Sequence, residues 1–203
     1  MPQILLIATN NPGKLREFQT LLVDLPLQLR TPAQIGLALD VDETGSTYHQ
    51  NAAIKARAFS AASGLPCLAD DSGIELDALN GAPGVYSARL VTTPGATDAD
   101  RRAALLAQLQ PHPQPWAARF RCVLAIAAPN TELYFAEGVC EGQIIPTARG
   151  DNGFGYDPIF FLPELNQTMA ELPEAEKNRR SHRARAVQAA HAWLRAFMAT
   201  GAG

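Results

Sequence analysis

Cysteine is scarce in this sequence of 203 residues, which contains only three. Cys67, Cys122 and Cys140 are scattered along the chain, and no two of them form a C-x-x-C pair. Two of them lie inside apolar, strand-like runs. This usage predicts reduced, buried thiols of a cytosolic protein.

Three further absences narrow the class of protein. No uninterrupted apolar run reaches membrane-spanning length, and the first residues lack the basic region of a signal peptide. The net charge is -3, so the chain has no overall basic excess of the kind that nucleic-acid binding needs. We therefore expect a cytoplasmic protein without a membrane or nucleic-acid partner.

The composition is that of a globular protein. With 47% hydrophobic and 18% charged residues, the chain has enough apolar residues for one sizeable core, and we expect a single domain over residues 1–203.

Two adjacent carboxylates, Asp70 and Asp71, are the most informative feature of the sequence. The apolar residues 65–69 predict a buried strand before them, Gly73 predicts an abrupt turn, and residues 74–77 predict a second strand. Carboxylates at a strand end are costly unless they hold a cation or cap backbone N–H groups. Oxygen ligands of this kind suit Mg²⁺, although a capped turn is the plain alternative.

A second informative stretch comes near the start of the chain. Residues 3–8 predict a strand buried on both faces, and Leu15, Phe18 and Leu22 lie on one face of a following helix. The connecting residues 9–14 contain Asn, Pro, Gly and Lys, and a helix N-terminus is a natural phosphate seat. The spacing of a Walker A loop is absent, and an ordinary strand-to-helix connection is the alternative.

The region before the paired carboxylates predicts an acidic loop and a helix. The loop covers residues 40–45, and a helix over residues 48–63 begins after Ser46 and Thr47 and ends at Gly64. Lys55 lies in the middle of this helix, where a solvated lysine is the common alternative to a functional one. Further on, Asp98 is expected to cap a helix over residues 99–110, with Ala103, Leu106 and Leu109 on its inner face.

The later chain predicts an antiparallel hairpin and a shaped loop. Residues 117–128 and 132–141 read as two strands joined at residues 129–131, so the sheet should be mixed. The glycine-rich residues 147–158 carry Phe154, Tyr156 and Asp157, which could form a lip that binds a nucleobase. A turn whose aromatic rings pack inward is the alternative.

The last predicted helix covers residues 174–198 and begins with a basic cluster over residues 177–185. Its apolar stripe is Val187, Ala190, Leu194, Phe197 and Met198. Ser181 could cap the helix and place His182 and Arg183 in its first turn, where cations oppose the helix dipole and would favour a nearby anion. A solvated basic face or a weak nucleic-acid patch is the alternative.

Five stretches in one order carry a resemblance to a known family. They are residues 9–14 (TNNPGK), 69–73 (ADDSG), 84–89 (GVYSAR), 154–158 (FGYDP) and 181–183 (SHR). Together they closely resemble the non-canonical purine nucleoside triphosphate pyrophosphatases, the inosine/xanthosine triphosphate pyrophosphatase family, from about residue 4 to residue 195. The resemblance implies an α/β fold with a long bent mixed β-sheet, flanking helices, two lobes and a central active-site cleft. It also implies a homodimer that uses Mg²⁺ to cleave (d)ITP and XTP to the monophosphate and pyrophosphate, which clears deaminated purines from the nucleotide pool.

The resemblance also implies roles for individual residues. Asp71 would be the catalytic carboxylate and a metal ligand beside Asp70, with Glu43 as the second metal carboxylate, although Asp40 and Asp42 are close alternatives. The residues that would bind substrate are Thr9, Asn10, Asn11, Pro12, Gly13, Lys14, Lys55, Ser72, Phe154, Gly155, Tyr156, Asp157, Lys177, His182 and Arg183. Those from residue 9 to residue 14 would hold the triphosphate, Lys55 would face the phosphates, and the last seven, from Phe154 onward, would recognise the base, with His182 and Arg183 as candidate donors to a 6-oxo group.

Other functions remain open from the sequence. A related pyrophosphatase for modified pyrimidine triphosphates would show a different nucleotide preference, and a non-catalytic nucleotide-binding protein would bind without turnover. A nucleic-acid-binding module that uses residues 177–185 would bind DNA or RNA in a salt-sensitive way.

Overall fold

The computed structural model describes residues 3–129 and 131–199. Within this part of the chain the helices are α1 (Pro12–Leu21), α2 (Tyr48–Ser63), α3 (Asp98–Leu109), α4 (Glu174–Arg180) and α5 (His182–Ala199). The strands are β1 (Gln3–Ile7), β2 (Leu27–Arg30), β3 (Cys67–Leu76), β4 (Trp116–Ala127), β5 (Tyr134–Ile144), β6 (Phe160–Leu162) and β7 (Gln167–Thr168). Among the described helices, none combines the length and the apolar character that crossing a membrane requires.

The described strands form one sheet in the order β2-β1-β3-β4-β5-β6-β7. β1 pairs in parallel with both β2 and β3, whereas β6 runs antiparallel to β5 and to β7. The predicted mixed α/β sheet with flanking helices is therefore confirmed. β4 and β5 are neighbours in the sheet, as the hairpin prediction requires, but Asn130 of its turn lies outside the described residues. The bend of the sheet and the central cleft stay predictions.

The chain divides into two compact units, each with its own core. The first takes its described residues from Met1–Asp71, Cys122–Gly138 and Arg183–Gly203, and the second comprises Ser72–Arg121 and Val139–His182. Phe18, Leu68 and Val187 are among the buried residues of the first core. The core of the second contains Leu76, Leu105 and Phe160.

The structure corrects the prediction of a turn between the paired carboxylates and residue 74. β3 is one continuous strand from Cys67 to Leu76, and Gly73 lies inside it. The backbone of this stretch is held in an extended form by partners beyond the strand, since the N–H of Ile74 donates to Oγ of buried Ser87 at 2.9 Å. Asp, Ser and Gly are common in turns, but both carboxylates here are buried in the strand.

The predicted start and inner face of α3 are also wrong in part. Thr97 caps the helix: its Oγ1 accepts from the N–H of Asp100 at 3.2 Å, and Asp100 Oδ2 accepts from the N–H of Thr97 at 2.8 Å. This reciprocal pair satisfies backbone N–H groups at the start of the helix. Asp98 is therefore the first residue of the helix and not its cap. Leu109 is buried as expected, but Ala103 is exposed, since packing buries Leu105 instead.

The long C-terminal helix is divided in two. Ser181 has φ -61° and ψ 154°, an extended conformation that ends α4, and α5 begins at the next residue. His182 and Arg183 therefore lie in the first turn of a helix, as predicted. Val187, Ala190 and Leu194 are buried along α5, and the side chain of Met198 lies outside the described residues.

Candidate active site

The loop before α1 is built by short-range hydrogen bonds. Asn11 caps the helix, because its Oδ1 accepts from the N–H groups of Gly13 at 2.8 Å and of Lys14 at 3.1 Å. Thr9 Oγ1 accepts in turn from the N–H of Asn11 at 3.1 Å, and Pro12 occupies the first turn. Asn10 and Asn11 are exposed. The loop is therefore ordered and accessible, with a cap that uses two of the N–H groups at the helix start.

Asp70 is held by two cations. Its Oδ2 lies 2.9 Å from Lys14 Nζ and 2.9 Å from Arg183 Nη2, and the residue is only 2% exposed. Burial alone would raise the pKa of this carboxyl, but the charges of Lys14 and Arg183 outweigh it and hold the pKa well below its usual range. Asp70 is therefore an ionised structural partner of the lysine that ends the phosphate-loop candidate.

Arg183 belongs to a buried ionic cluster with acids from two other elements. The guanidinium is 1% exposed and donates through Nη1 to Glu17 Oε2 on α1 and through Nη2 to Asp70 on β3. Burial would lower the pKa of Arg183, but the two acids raise it above its usual value. Sequence reasoning missed Glu17, whose one signal was an acid next to the apolar residue Phe18 on the inner face of α1.

Asp71 has a different environment from its neighbour. It is 6% exposed, accepts a hydrogen bond from Asn51 Nδ2 at 3.1 Å, and lies 4.0 Å from Lys55 Nζ. Desolvation raises the pKa of Asp71 in spite of the opposing effects of Lys55 and Asn51. A desolvated carboxylate of this kind is a candidate general base or cation ligand.

Lys55 connects Asp71 with the acidic loop. Its Nζ lies 3.1 Å from Glu43 Oε1, so one ammonium group serves both carboxylates. Glu43 is partly buried, whereas Asp40 and Asp42 are exposed, which favours Glu43 among the three acids. Lys55 is not a solvated surface lysine, because its side chain is only 12% exposed.

Asn51 is a further residue that the sequence did not reveal. It is fully buried; besides donating to Asp71, its Oδ1 accepts from the N–H of Gly45 at 2.8 Å. A Cβ at Gly45 would lie 2.7 Å from that oxygen, so the glycine allows the close approach. Asn51 thereby connects the loop of Glu43 to Asp71. Within the described residues, no group of three or more His, Cys, Asp or Glu side chains is arranged to hold a metal.

The second unit contains the aromatic loop of residues 153–157. Lys177 Nζ lies 2.6 Å from Asp157 Oδ2, with side chains 7% and 5% exposed. The same oxygen accepts from the N–H of Phe154 at 2.9 Å, and Lys177 Nζ lies 4.8 Å from the centroid of the Phe154 ring. Gly153 has φ +79°, and a Cβ there would lie 2.1 Å from Asp157 Oδ2. The loop is therefore folded around one buried ion pair, with Phe154 partly exposed beside it.

Two other predicted base-recognition residues are packed into the second unit. Tyr156 is buried, its hydroxyl donates to the carbonyl of Ser87 at 2.8 Å, and burial raises the pKa of its phenol to about 12. This ring packs inward, as the alternative interpretation of the loop proposed. The imidazole of His182 is 7% exposed and stacks on Phe120 with centroids 4.8 Å apart. Ser72 is partly buried on β3.

A large groove in the first unit lies on another face of α2. It has a volume of about 930 Å³ and is lined by residues that include His49, Ala53 and Arg57 of α2 and Phe135 of β5. Asn51 and Lys55, which reach Asp71, alternate with these residues along the helix and leave it on a different side. The groove is therefore separate from the Asp71 cluster.

Comparison with known proteins decides the family. The sequence model of the Ham1 family matches residues 5–193. The chain belongs to the Ham1 family. The chain is 47% identical over 187 residues to a protein of Desulforamulus reducens named dITP/XTP pyrophosphatase, covering 92% of each. It is also 47% identical over 192 residues to a protein of the same name from Synechocystis, covering 93% of this chain and 94% of that protein.

Solved structures of Ham1 proteins have the same fold. A HAM1 protein from Coxiella burnetii matches with a TM-score of 0.85 and 40% identity over 98% of this chain and 99% of that chain. The Ham1 protein of Staphylococcus aureus matches with a TM-score of 0.83 and 37% identity over 98% of this chain. The resemblance seen in the five sequence motifs is therefore confirmed for this Ham1 protein.

Proposed function

We propose that this Ham1 protein hydrolyses deaminated purine nucleoside triphosphates, dITP, ITP and XTP, to the monophosphate and pyrophosphate. The observation that carries the proposal is 47% identity over more than 90% of the chain to relatives named dITP/XTP pyrophosphatase. The local geometry supports it, because Asp71 is desolvated and lies beside Asn51 and Lys55. Such a carboxylate is suited to general-base chemistry.

The residues around Asp71 fit a magnesium ion of the kind that accompanies a nucleotide. Mg²⁺ usually keeps several waters and binds through one or two carboxylates together with substrate phosphates. Asp71 and Glu43 provide two carboxylates that share Lys55, a cation. Asp70 is less suited to the role because Lys14 and Arg183 already occupy its Oδ2. When bound, Mg²⁺ would neutralise phosphate charge and polarise the phosphoryl oxygens.

The first unit supplies the groups for the phosphates. A triphosphate carries about four negative charges, which positioned cations must offset before a nucleophile can approach. We assign this task to Lys14 and to the exposed loop of residues 9–14, with Lys55 near the reacting phosphate. Glu17 pairs with Arg183, Arg183 holds Asp70, and Asp70 in turn fixes the position of Lys14.

Asp71 would act on water. Its carboxylate accepts a proton as the water oxygen forms a bond to the α-phosphorus, and the bond from that phosphorus to the bridging oxygen breaks. Pyrophosphate leaves with the bonding electron pair. Asn51 holds the carboxylate in place through its amide, and the raised pKa of Asp71 makes it a better proton acceptor than an exposed aspartate.

Base recognition is assigned to the aromatic loop, to Lys177, and to His182 and Arg183. The partly exposed ring of Phe154 would stack on the purine, and the Asp157–Lys177 pair would present its polar groups to the base edge. His182 and Arg183 are the proposed donors to a 6-oxo group, and Arg183 also holds Asp70. Adenine presents an amino group at that position, so donor would meet donor, which costs about 1–3 kcal/mol for each unpaired buried group.

Product analysis tests the proposal. The protein would be incubated with Mg²⁺ and with ITP, XTP, dITP, ATP or a modified pyrimidine triphosphate, and the products separated by ion-exchange chromatography. We expect inosine monophosphate and pyrophosphate from ITP, with much slower cleavage of ATP. Inosine diphosphate and orthophosphate would overturn attack at the α-phosphorus, fastest cleavage of the pyrimidine nucleotide would favour the alternative substrate class, and binding without cleavage would make the protein a nucleotide-binding protein.

The remaining expectations concern the setting of this activity. We propose that residues 1–203 act as one functional domain, that the protein is a cytoplasmic homodimer, and that it removes deaminated purines from the nucleotide pool. Light scattering coupled to size-exclusion chromatography would give the mass, and 21.8 kDa instead of twice that value would exclude the dimer.

A further inference from the structure

One residue of the aromatic loop, Gly155, is held by α3 through the peptide groups on both of its sides. The N–H of Gly155 donates to Asp98 Oδ2 at 2.7 Å, and Arg102 Nη1 donates to the carbonyl oxygen of Gly155 at 2.8 Å. The two side chains are four residues apart on the helix and therefore lie on one face. Gly155 is 57 and 53 residues away from them in the chain, so this is a tertiary clamp and not local turn chemistry.

The cap of α3 does not require Asp98. Thr97 and Asp100 already form a reciprocal capping pair at this helix start. The Asp98 carboxylate instead divides its oxygens between the N–H of Gly155 and Arg101 Nη1, which lies 3.1 Å from Oδ1. A charged acceptor directed at a distant backbone group points to a role for Asp98 beyond helix formation.

The clamp fixes the conformation on which Phe154 depends. Gly155 has φ +62°, in the left-handed region, and apart from its two chain neighbours no atom lies within 4 Å of where a Cβ would stand. No distant group therefore crowds that side of the residue, whereas hydrogen bonds on both its N–H and its C=O restrict rotation on each side. The Phe154 ring precedes this residue directly, and buried Tyr156 follows it.

The same helix turn also reaches the segment of residues 84–89. Arg101 Nε donates to the carbonyl of Ala88 at 2.8 Å, and the hydroxyl of Tyr156 donates to the carbonyl of Ser87 at 2.8 Å. The first turn of α3, the aromatic loop and residues 84–89 are thus joined by a closed set of hydrogen bonds within the second unit. Loosening Asp98 or Arg102 would release the loop at one point while the buried anchor Tyr156 remains.

We infer that Asp98 and Arg102 are positioning residues for base recognition, acting through Gly155 on the ring of Phe154. The inference rests on the proposed function, since it assumes that Phe154 stacks on the purine. It assigns substrate discrimination in part to a helix that carries none of the predicted site residues. Neither side chain takes part in the chemical step.

Steady-state kinetics of the full chain test the inference. Asp98→Ala and Arg102→Ala are expected to raise KM for ITP about fivefold to tenfold, the effect of losing one ordinary hydrogen bond, with little change in kcat. The ratio of kcat/KM for ITP over ATP should fall. Asp98→Asn keeps an oxygen that can accept from the N–H of Gly155, so its KM for ITP should stay close to the wild-type value.

Asp100→Ala is the matched control. It lies in the same turn and removes the capping pair, so it should lower the melting temperature while KM and the ITP/ATP ratio stay at wild-type values. If Asp98→Ala changes the kinetics no more than Asp100→Ala does, the role of Asp98 is structural and the inference is wrong.

Hydrogen exchange separates this inference from the proposed function. Peptides covering residues 153–157 should exchange faster in Asp98→Ala than in the wild type or in Asp100→Ala, with or without nucleotide. Wild-type protein that releases no pyrophosphate from ITP would overturn the proposed function, whatever the exchange shows. Unchanged exchange in both Asp98→Ala and Arg102→Ala would overturn the clamp, even in an active enzyme.

Discussion

Asp70 and Asp71 are neighbours in β3, yet the structure shifts their pKa values in opposite directions. Lys14 and Arg183 hold the pKa of Asp70 below its usual range, whereas desolvation raises that of Asp71. The cause is the alternation of a strand, which directs successive side chains to opposite faces. Two carboxylates in such different environments have different tasks.

Asp70→Asn should destabilise the protein. Removing one member of a buried ionic cluster takes the carboxylate away from Lys14 and leaves Arg183 with Glu17 alone. The expected loss in the free energy of unfolding is about 3 kcal/mol at pH 7. Urea unfolding followed by circular dichroism would measure it. The exposed Asp42→Asn is the control and should change the value little.

The loss caused by Asp70→Asn should depend on pH. The pKa of Asp70 is lower in the folded protein than the unfolded value of about 3.9, so its stabilising effect is complete above that value and disappears as the pH falls. The difference between wild type and Asp70→Asn should therefore shrink from pH 6 toward pH 3. A difference that grows on acidification would contradict the assignment of the ionised form.

Asp71→Asn should separate stability from activity. Because burial disfavours the ionised carboxylate of Asp71, an uncharged side chain of the same size should leave the free energy of unfolding unchanged or slightly higher, measured with EDTA present. Pyrophosphate release should fall by about 10²- to 10⁴-fold, the usual contribution of a general base. Activity above a tenth of the wild-type rate would exclude Asp71 as that base.

The magnesium proposal distinguishes Glu43 from its acidic neighbours. EDTA should abolish pyrophosphate release, and excess Mg²⁺ should restore it. Glu43→Gln should raise the Mg²⁺ concentration for half-maximal activity by about tenfold or more, since changing a residue that supports a metal site typically lowers metal affinity by that factor. Asp40→Asn and Asp42→Asn, which alter exposed carboxylates, should not. An equal effect in all three variants would mean that the loop contributes only general negative charge.

Tyr156 should ionise only at high pH. Burial raises the pKa of its phenol to about 12, so the folded state favours the neutral form, and stability should be lost as the pH rises from about 10 to about 12. Tyr156→Phe removes the hydrogen bond to Ser87 and should cost about 1 kcal/mol at pH 7. Phenolate absorbance at pH 11 would be compared between the wild type and Tyr156→Phe. A larger absorbance in the wild type, by the amount of one full phenolate, would show that Tyr156 is already ionised and would contradict its burial.

The cysteines should be inert in the folded protein. All three are buried and form no disulfide, and burial raises the pKa of Cys67 and of Cys122 to about 12. Since the thiolate is the reactive form, an aromatic disulfide reagent at pH 8 should label the native protein very slowly and all three thiols after unfolding. Rapid labelling of a thiol in the native state would show that it is accessible.

Local patterns predicted much of the fold. Thr47 caps α2 and Gly64 ends it in a left-handed conformation, as expected, because caps depend on residues next to the helix. The strand before residues 9–14 and the helix after them were also predicted correctly. The errors came where distant parts of the chain decide: Leu105 instead of Ala103 faces the core from α3, and β3 continues through Gly73.

The candidate site divides in the same way. The resemblance to the family implied Asp71, Lys55 and Lys14 as members of the candidate site, whereas the local residue patterns left a capped turn, a solvated lysine and a plain strand-to-helix connection open. Glu17, Asn51 and Asp98 were missed because each acts through a partner far along the chain, and no periodic signal marks them. The contact of Arg183 with Asp70 joins residues 113 positions apart.

The sequence by itself determined the family and the mixed α/β class, since the order of the five motifs and the local patterns of strands and helices depend on residue types and their spacing. Only the tertiary structure decided the environment of each of these residues: Asp70 is ionised between two cations, Asp71 is desolvated, Tyr156 packs inward and Gly155 is clamped by α3. The physical reason is that burial and charge depend on which distant residues come together, and that is a property of the folded chain.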